Sequence, residues 1–346
     1  MLIEYAFINL SKPNFNMIAV HIGYPKSAST TLQKHLFSKH ADINSFSSYP
    51  TKNIGVDSSE VNYSSRYLSS DDLKIFYQKI SNLAASDFDH NEISAMASGF
   101  RKDFSTDRCN VFSSEFFMSV FFSNKNLEEK ANRLFDVFPE AKILVIIRNQ
   151  LDIIKSQYKD HPFDPRNLAN GRSLSLNEFV TQLIEFDHEI MYLDSLQYLE
   201  KANIYEQLFG INRIKVLCME DLKYDLTGFS RKISEFLHID SKLTEGLLTN
   251  RHENRGIGSG YNTYRKMVRN HYPVKVLNFI LNNIFRIDMK RILSNSNNET
   301  EDINSQNSNR LTNYFGESNY KLAKKYAVDI TKYNYPLLVV EDTDVN

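Results

Sequence analysis

Apolar residues along this chain come in two rhythms. Short unbroken runs read as strands buried on both faces: Met17-Ile18-Ala19-Val20-His21-Ile22, Asn110-Val111-Phe112-Ser113, Lys142-Ile143-Leu144-Val145-Ile146-Ile147 and Ile214-Lys215-Val216-Leu217-Cys218-Met219. Between them the apolar period lengthens to that of a helix. Ahead of the third run, Leu127, Ala131, Leu134, Phe135 and Phe138 form one apolar stripe, and Pro139 stops that helix before the strand begins. The alternation continues to about residue 240. Strands separated by helices imply βαβ units with right-handed crossovers, so the predicted class is α/β: a three-layer fold with a central parallel β-sheet flanked by helices. Ligands then bind at the carboxyl ends of the strands.

Two stretches break the rhythm. Residues 45–70 are rich in Ser, Asn, Tyr and Gly and read as a long loop; residues 294–309 carry Asn, Ser, Glu and Asp and read as a mobile polar excursion. Helical spacing resumes at Arg310-Leu311 and runs to about Ile330. No linker demands a second domain. Residues 17–340 are expected to form one unit, with 1–16 an extension or a misassigned start, because Met17 opens the first strand.

The composition, 346 residues with 42% hydrophobic and 24% charged, is that of a globular protein with a large core. A formal net charge of -1 gives no global attraction to nucleic acid or anionic membrane, so any anion recognition must be local. The densest basic run lies between 251 and 291, where Arg251, Arg255, Arg265, Lys266, Arg269, Lys275, Arg286, Lys290 and Arg291 face only Glu253 and Asp288. It reads as a solvated helix face; grip on nucleotide phosphates, an anionic polysaccharide or a lipid surface is the alternative. Within it Val276, Leu277, Ile280, Leu281, Ile284 and Phe285 form a stripe expected to pack in the core rather than dock on a membrane. Cys109 and Cys218 are the only cysteines, which leaves neither a disulfide framework nor a metal knuckle and points to a reducing, cytoplasmic setting. No apolar stretch reaches the roughly 18 residues of a membrane span.

The chemistry concentrates directly after the first strand, in Gly23-Tyr24-Pro25-Lys26-Ser27-Ala28-Ser29-Thr30-Thr31. Strand, loop and helix start follow one another here, and a helix start offers unpaired N–H groups and the positive end of the macrodipole. The loop is expected to hold a phosphate or sulfate. It matches the G-x-x-x-x-G-K-[ST] pattern at Gly23 and Thr30 only; Ala28 replaces the second glycine, Ser29 replaces the lysine, and the cation has moved to Lys26. A nucleoside-triphosphate enzyme needs that lysine and a magnesium ion, whereas a sulfuryl group carries less charge and can manage with amides, hydroxyls and one ammonium. Ala28 is acceptable in helical φ and costly in positive φ.

Pro25-Lys26-Ser27, a small residue and hydroxyls resemble the 5′-phosphosulfate loop of the PAPS-dependent sulfotransferases, where PAPS is 3′-phosphoadenosine 5′-phosphosulfate; the departures are Ala28 for glycine and Ser29 for threonine. Arg148, at the end of the third run, followed after seven residues by Ser156 resembles the family's 3′-phosphate site, and Arg251-His252-Glu253-Asn254-Arg255-Gly256 its late Arg-Gly loop. Glu220-Asp221-Leu222, Phe236-Leu237-His238-Ile239 and the helix around Tyr314 to Leu322 resemble further segments, so the likeness spans most of 17–336 with specific motifs at three places.

The resemblance implies a sulfotransferase of bacterial or carbohydrate type. Lys26, Ser27, Ala28, Ser29, Thr30 and Thr31 then hold the phosphosulfate, Arg148, Ser156, Arg255 and Gly256 the 3′-phosphate, and Lys26 the leaving phosphate. Glu115, after Ser113-Ser114 at the same sheet edge, is the candidate base, with His161 second; His21 reads as a buried histidine satisfied by a neighbour. The implied partner is a hydroxyl-bearing acceptor, a carbohydrate first, with no nucleic acid, no metal and peripheral membrane contact left open. Two other readings stand beside it. Gly23, Thr30 and Glu220-Asp221, taken as a magnesium-binding pair, would make a Mg-ATP-dependent kinase; the departure at Ala28 allows a non-catalytic nucleotide-binding protein.

Overall fold

A computed structural model describes residues 17–47, 70–83, 85–118, 127–166, 172–249, 264, 267–268, 271–283, 292–293 and 301–339. Five strands form one parallel sheet: β1 (Ile18–Gly23), β2 (Ile43–Ser47), β3 (Cys109–Ser113), β4 (Lys142–Ile147) and β5 (Ile214–Cys218), in the order β2-β3-β1-β4-β5. Four of these are the strands predicted above. The fifth, β2, starts ahead of the stretch read as loop, residues 45–70, and runs into it as far as Ser47. Ile43-Asn44-Ser45-Phe46-Ser47 is too polar to announce a strand, but as an edge strand it pairs only with β3. Phe46 stacks on Phe112 with ring centroids 4.7 Å apart, and Asn44 Nδ2 donates to Asn110 Oδ1 at 2.8 Å and to Asp103 O at 2.9 Å, so the strand's buried amide is satisfied.

The strands alternate between two cores, as parallel strands covered on both sides must. Val20, Ile22, Phe112, Val145 and Val216 face a core closed by the helices α2 (Ser70–Asn82), α3 (His90–Arg101) and α4 (Leu127–Val137). Ala19, Val111, Leu144, Ile146 and Leu217 face the opposite way. There they meet Leu32, Leu36 and Phe37 and the helix Leu226–Leu237. The result is an α/β three-layer fold with a parallel sheet between helices.

Register decides what meets at the carboxyl edge. Gly23 pairs with Ile146 and His21 with Ser113. The loop leaving β1 is therefore flanked by the residues just after β3 and just after β4, which are Glu115 and Arg148.

Two further expectations change. A helix Ser305–Tyr326 begins inside the run read as a mobile excursion: Asn304 caps it, and Asn307 is buried, donating to Asn177 O at 3.1 Å. The polar residues there are helix-capping and interhelical partners, and residues 294–300 lie outside the described residues. Along the helix Tyr272–Asn283, Val276 and Leu277 are 42% and 50% exposed while Ile280 and Leu281 are half-buried, and Ile284 and Phe285 lie outside the described residues; helical spacing shows which positions share a face, not whether anything covers it. Residues 1–16 and all the basic residues of the 251–291 run except Lys275 lie outside the described residues.

Candidate active site

The loop after β1 is held by few bonds. Tyr24 N donates to Ile146 O at 3.4 Å, Ser27 N closes a turn on Tyr24 O at 3.1 Å, and Leu32 N makes the first helical bond, to Ala28 O, at 3.0 Å. The helix that follows starts as α1 (Ser29–Thr31) and continues as a π-helical stretch over Leu32–Phe37. Lys26 (φ 70) and Ala28 (φ 62) both take left-handed backbone, which costs a residue with a Cβ about 1 kcal/mol or more. Helical φ at Ala28, the undemanding alternative, is not what the fold adopts. Gly23 has the opposite need: a Cβ there would lie 2.2 Å from Ser29 Oγ.

Four elements converge on this loop. Arg148 Nη1 donates to Lys26 O at 2.9 Å while its Nε, buried, makes no hydrogen bond. Its own carbonyl accepts from the Tyr198 hydroxyl, and Tyr198 meets Tyr24 edge-on at 4.7 Å. The Lys26 ammonium pairs with Asp160 in the last turn of α5 (Gln150–Asp160). Glu115 stands beside Ser29 and Lys26. Burial drives its carboxyl above the ordinary carboxylate range, opposed by the Ser29 hydroxyl and the Lys26 charge.

The hydroxyls of Ser27 and Ser29 are buried and make no well-aligned hydrogen bond, Ser29 despite its nearness to Glu115. Buried polar groups are normally paired, so these two hydroxyls are exceptions. Thr30 and Thr31 occupy the first turn of α1. Ser156 lies one turn before Asp160 on α5, half-buried and on the same helical face. His161 ends α5, exposed, its N–H bonded to Gln157 O at 2.8 Å. Arg255 and Gly256 lie outside the described residues.

Asp160 is the site residue that the sequence reading missed. Its signal was available: it lies four residues beyond Ser156, hence on the same face of a helix already assigned to the site. Glu220 and Asp221 are engaged elsewhere. Glu220 accepts from Asn149 N at 2.8 Å and from the Tyr335 hydroxyl at 2.9 Å; Asp221 accepts from Lys232 at 2.8 Å and the Tyr333 hydroxyl at 2.5 Å. Among the described residues no group of three or more His, Cys, Asp or Glu side chains is placed to hold a metal ion, and no helix is long and apolar enough to cross a membrane.

No family model and no curated protein matches this chain. Among solved structures, a sulfotransferase from Alicyclobacillus acidocaldarius is similar at 17% identity and a TM-score of 0.43, covering 82% of this chain and 99% of that one.

Proposed function

We infer that this chain is a sulfotransferase that moves a sulfuryl group from PAPS to a hydroxyl, with carbohydrates as the acceptor class. The observation that carries the reading is the meeting of one ammonium, Lys26, and one desolvated carboxyl, Glu115, at Ser29 of an anion-binding loop. PAPS, when bound, supplies a sulfuryl group activated by its phosphate leaving group.

The residues fit such a donor. Ser27 and Ser29 present buried hydroxyls without well-aligned partners, and the missing Cβ of Gly23 lets the Ser29 hydroxyl sit close against the end of β1. With Thr30, Thr31 and the N–H groups of the helix start they would hold the phosphosulfate; Arg148, Ser156, Arg255 and Gly256 would hold the 3′-phosphate. Lys26 would stabilise the negative charge that develops on the leaving oxygens. Glu115 would take the proton of the acceptor hydroxyl, and its elevated pKa brings it closer to that task at neutral pH. A carboxylate base is also what favours a sugar over a phenol, since the resemblance gives carbohydrate-type enzymes a glutamate in this region. His161 is the second candidate for base or acceptor contact.

The loop carries a single cation, and the carboxylates of Glu220 and Asp221 are occupied by protein donors, which weighs against a magnesium-dependent kinase. Calorimetry with 3′-phosphoadenosine 5′-phosphate against 5′-AMP tests the donor assignment. Tighter binding of the bisphosphate is expected; equal affinity removes the 3′-phosphate site and the reading with it. Sulfate transfer to sugar and phenol acceptors then tests the acceptor class.

A further inference from the structure

His21 is wholly buried on β1, two residues before the loop, and sulfuryl transfer as described gives it no task. Its neighbours fix where its proton sits. Gln33 Nε2 donates to the Ser113 carbonyl at 3.2 Å and to Ser113 Oγ at 2.9 Å. A carbonyl oxygen only accepts, so the amide turns its NH₂ group to Ser113 and uses both hydrogens there. Ser113 Oγ thus accepts from Gln33 and has one hydrogen left to give. His21 Nδ1, 2.7 Å away, is the ring atom placed to receive it. In a neutral imidazole with Nδ1 as acceptor, the single N–H is on Nε2. Burial keeps the ring neutral, with its pKa lowered to about 3.

This Nε2–H is buried and has no hydrogen-bond partner. It borders the same small space as the Ser29 hydroxyl, which lies near Glu115 but makes no well-aligned hydrogen bond. A Cβ placed on Gly23 would lie 3.1 Å from His21 Nε2 and 2.2 Å from Ser29 Oγ, and only a glycine leaves that space open. Two buried polar atoms aimed at one gap, one of them on the anion loop, are not a packing accident of the core.

We propose that His21 is a positioning residue of the anion loop: its Nε2–H donates to Ser29 Oγ when the anion is bound and so turns the Ser29 O–H toward the ligand. Donors then run in one direction, from Gln33 through Ser113, His21 and Ser29 to the phosphosulfate. This rests on the loop being the donor site. The chain also accounts for Gln33, a buried amide on the π-helical stretch that donates to both oxygens of Ser113.

The test is a double-mutant cycle read by calorimetry with 3′-phosphoadenosine 5′-phosphate. His21→Phe keeps a ring beside Phe37, 5.3 Å away in the native pair, and removes the donor. It should weaken binding about tenfold, as loss of one hydrogen bond to a charged ligand's partner does. His21→Gln, whose amide reaches as far as Nε2, should restore most of that loss. In a Ser29→Ala background His21→Phe should cost nothing further, whereas a purely structural role costs the same in both backgrounds and overturns the proposal. ¹⁵N NMR of the free wild-type chain supplies a readout independent of any variant's folding: Nδ1 should appear pyridine-like and Nε2 protonated, and the Nδ1–H tautomer overturns the chain of donors. If wild type binds the bisphosphate no better than 5′-AMP, the donor assignment has failed. The same cycle run with inorganic pyrophosphate then decides on His21 alone, and a loop that binds neither anion overturns both.

Discussion

The ammonium of Lys26 and the carboxylate of Asp160 form an ion pair across the mouth of the loop, joining residues 134 apart in sequence. Each side chain is partly exposed, 32% for the lysine and 25% for the aspartate, so the pair can exchange partners. An incoming anion has to compete with Asp160 for the one cation of the loop. Asp160→Asn should therefore tighten binding of 3′-phosphoadenosine 5′-phosphate by about three- to tenfold at low salt, less at high salt, as calorimetry at two ionic strengths would show. Unchanged affinity would mean that Lys26 does not touch the ligand.

Lys26→Ala removes the cation proposed to stabilise the leaving oxygens and should lower kcat by about 10²- to 10³-fold. Unchanged far-UV circular dichroism would confirm that the loss is one of chemistry. A sulfate-transfer assay that finds near-wild-type turnover assigns the charge to another residue.

Glu115 should show a trade between stability and activity. Its folded carboxyl is raised above the ordinary range because burial penalises the charge. The folded state thus holds its proton to higher pH than the unfolded state does, and stability declines as pH rises from the ordinary carboxylate value through the raised one. Glu115→Gln removes that dependence. The variant should be more stable than wild type at neutral pH by urea titration while losing about 10²- to 10⁴-fold in turnover. A variant less stable above the window would show that the carboxylate is well paired in the fold.

Ala28 holds φ 62 without being a glycine. Ala28→Gly relieves that backbone at some cost in unfolded-state entropy, so the net gain should be up to about 1 kcal/mol, seen as a higher urea midpoint at constant slope. Donor affinity should be kept or improved. A destabilised variant would indicate that the methyl group packs to more effect than the backbone strains.

Removing magnesium should leave nucleotide affinity unaltered. Asp221 is held by Lys232 and Tyr333, and Glu220 by Asn149 and Tyr335, so a cation would have to break four hydrogen bonds to be bound there. Titrations with and without EDTA check this; affinity that collapses with EDTA revives the kinase.

Much of this was legible in the order of residues, and what was not has physical reasons. Strands such as Lys142–Ile147 are buried on both faces and have to be apolar throughout, so their ends, and with them Arg148 and the loop at Gly23, could be located directly. The edge strand Ile43–Ser47 pairs its buried Asn44 amide with Asn110 of β3 and is not built from an unbroken apolar run. The spacing of Asp160 from Ser156 puts both on one helical face, but its pairing with Lys26, far away in sequence, is visible only in the fold. His21 was seen as buried and satisfied; its Nδ1 is, but its Nε2 is not, and that difference depends on how Gln33 and Ser113 are placed around it.

The strand end that carries Arg148 is fastened by a segment far along the chain. Asn149 Nδ2 donates to Tyr333 O at 2.9 Å and Asn334 O at 2.8 Å, and Asn319 Nδ2 to Pro336 O at 2.8 Å. During synthesis the β1 loop, Glu115 and Arg148 leave the ribosome long before residues 333–336. The growing chain can assemble its sheet early, but this clasp on the arginine's neighbour closes only after residue 336 has emerged, so the timing of a competent site is set by translation of its distal part.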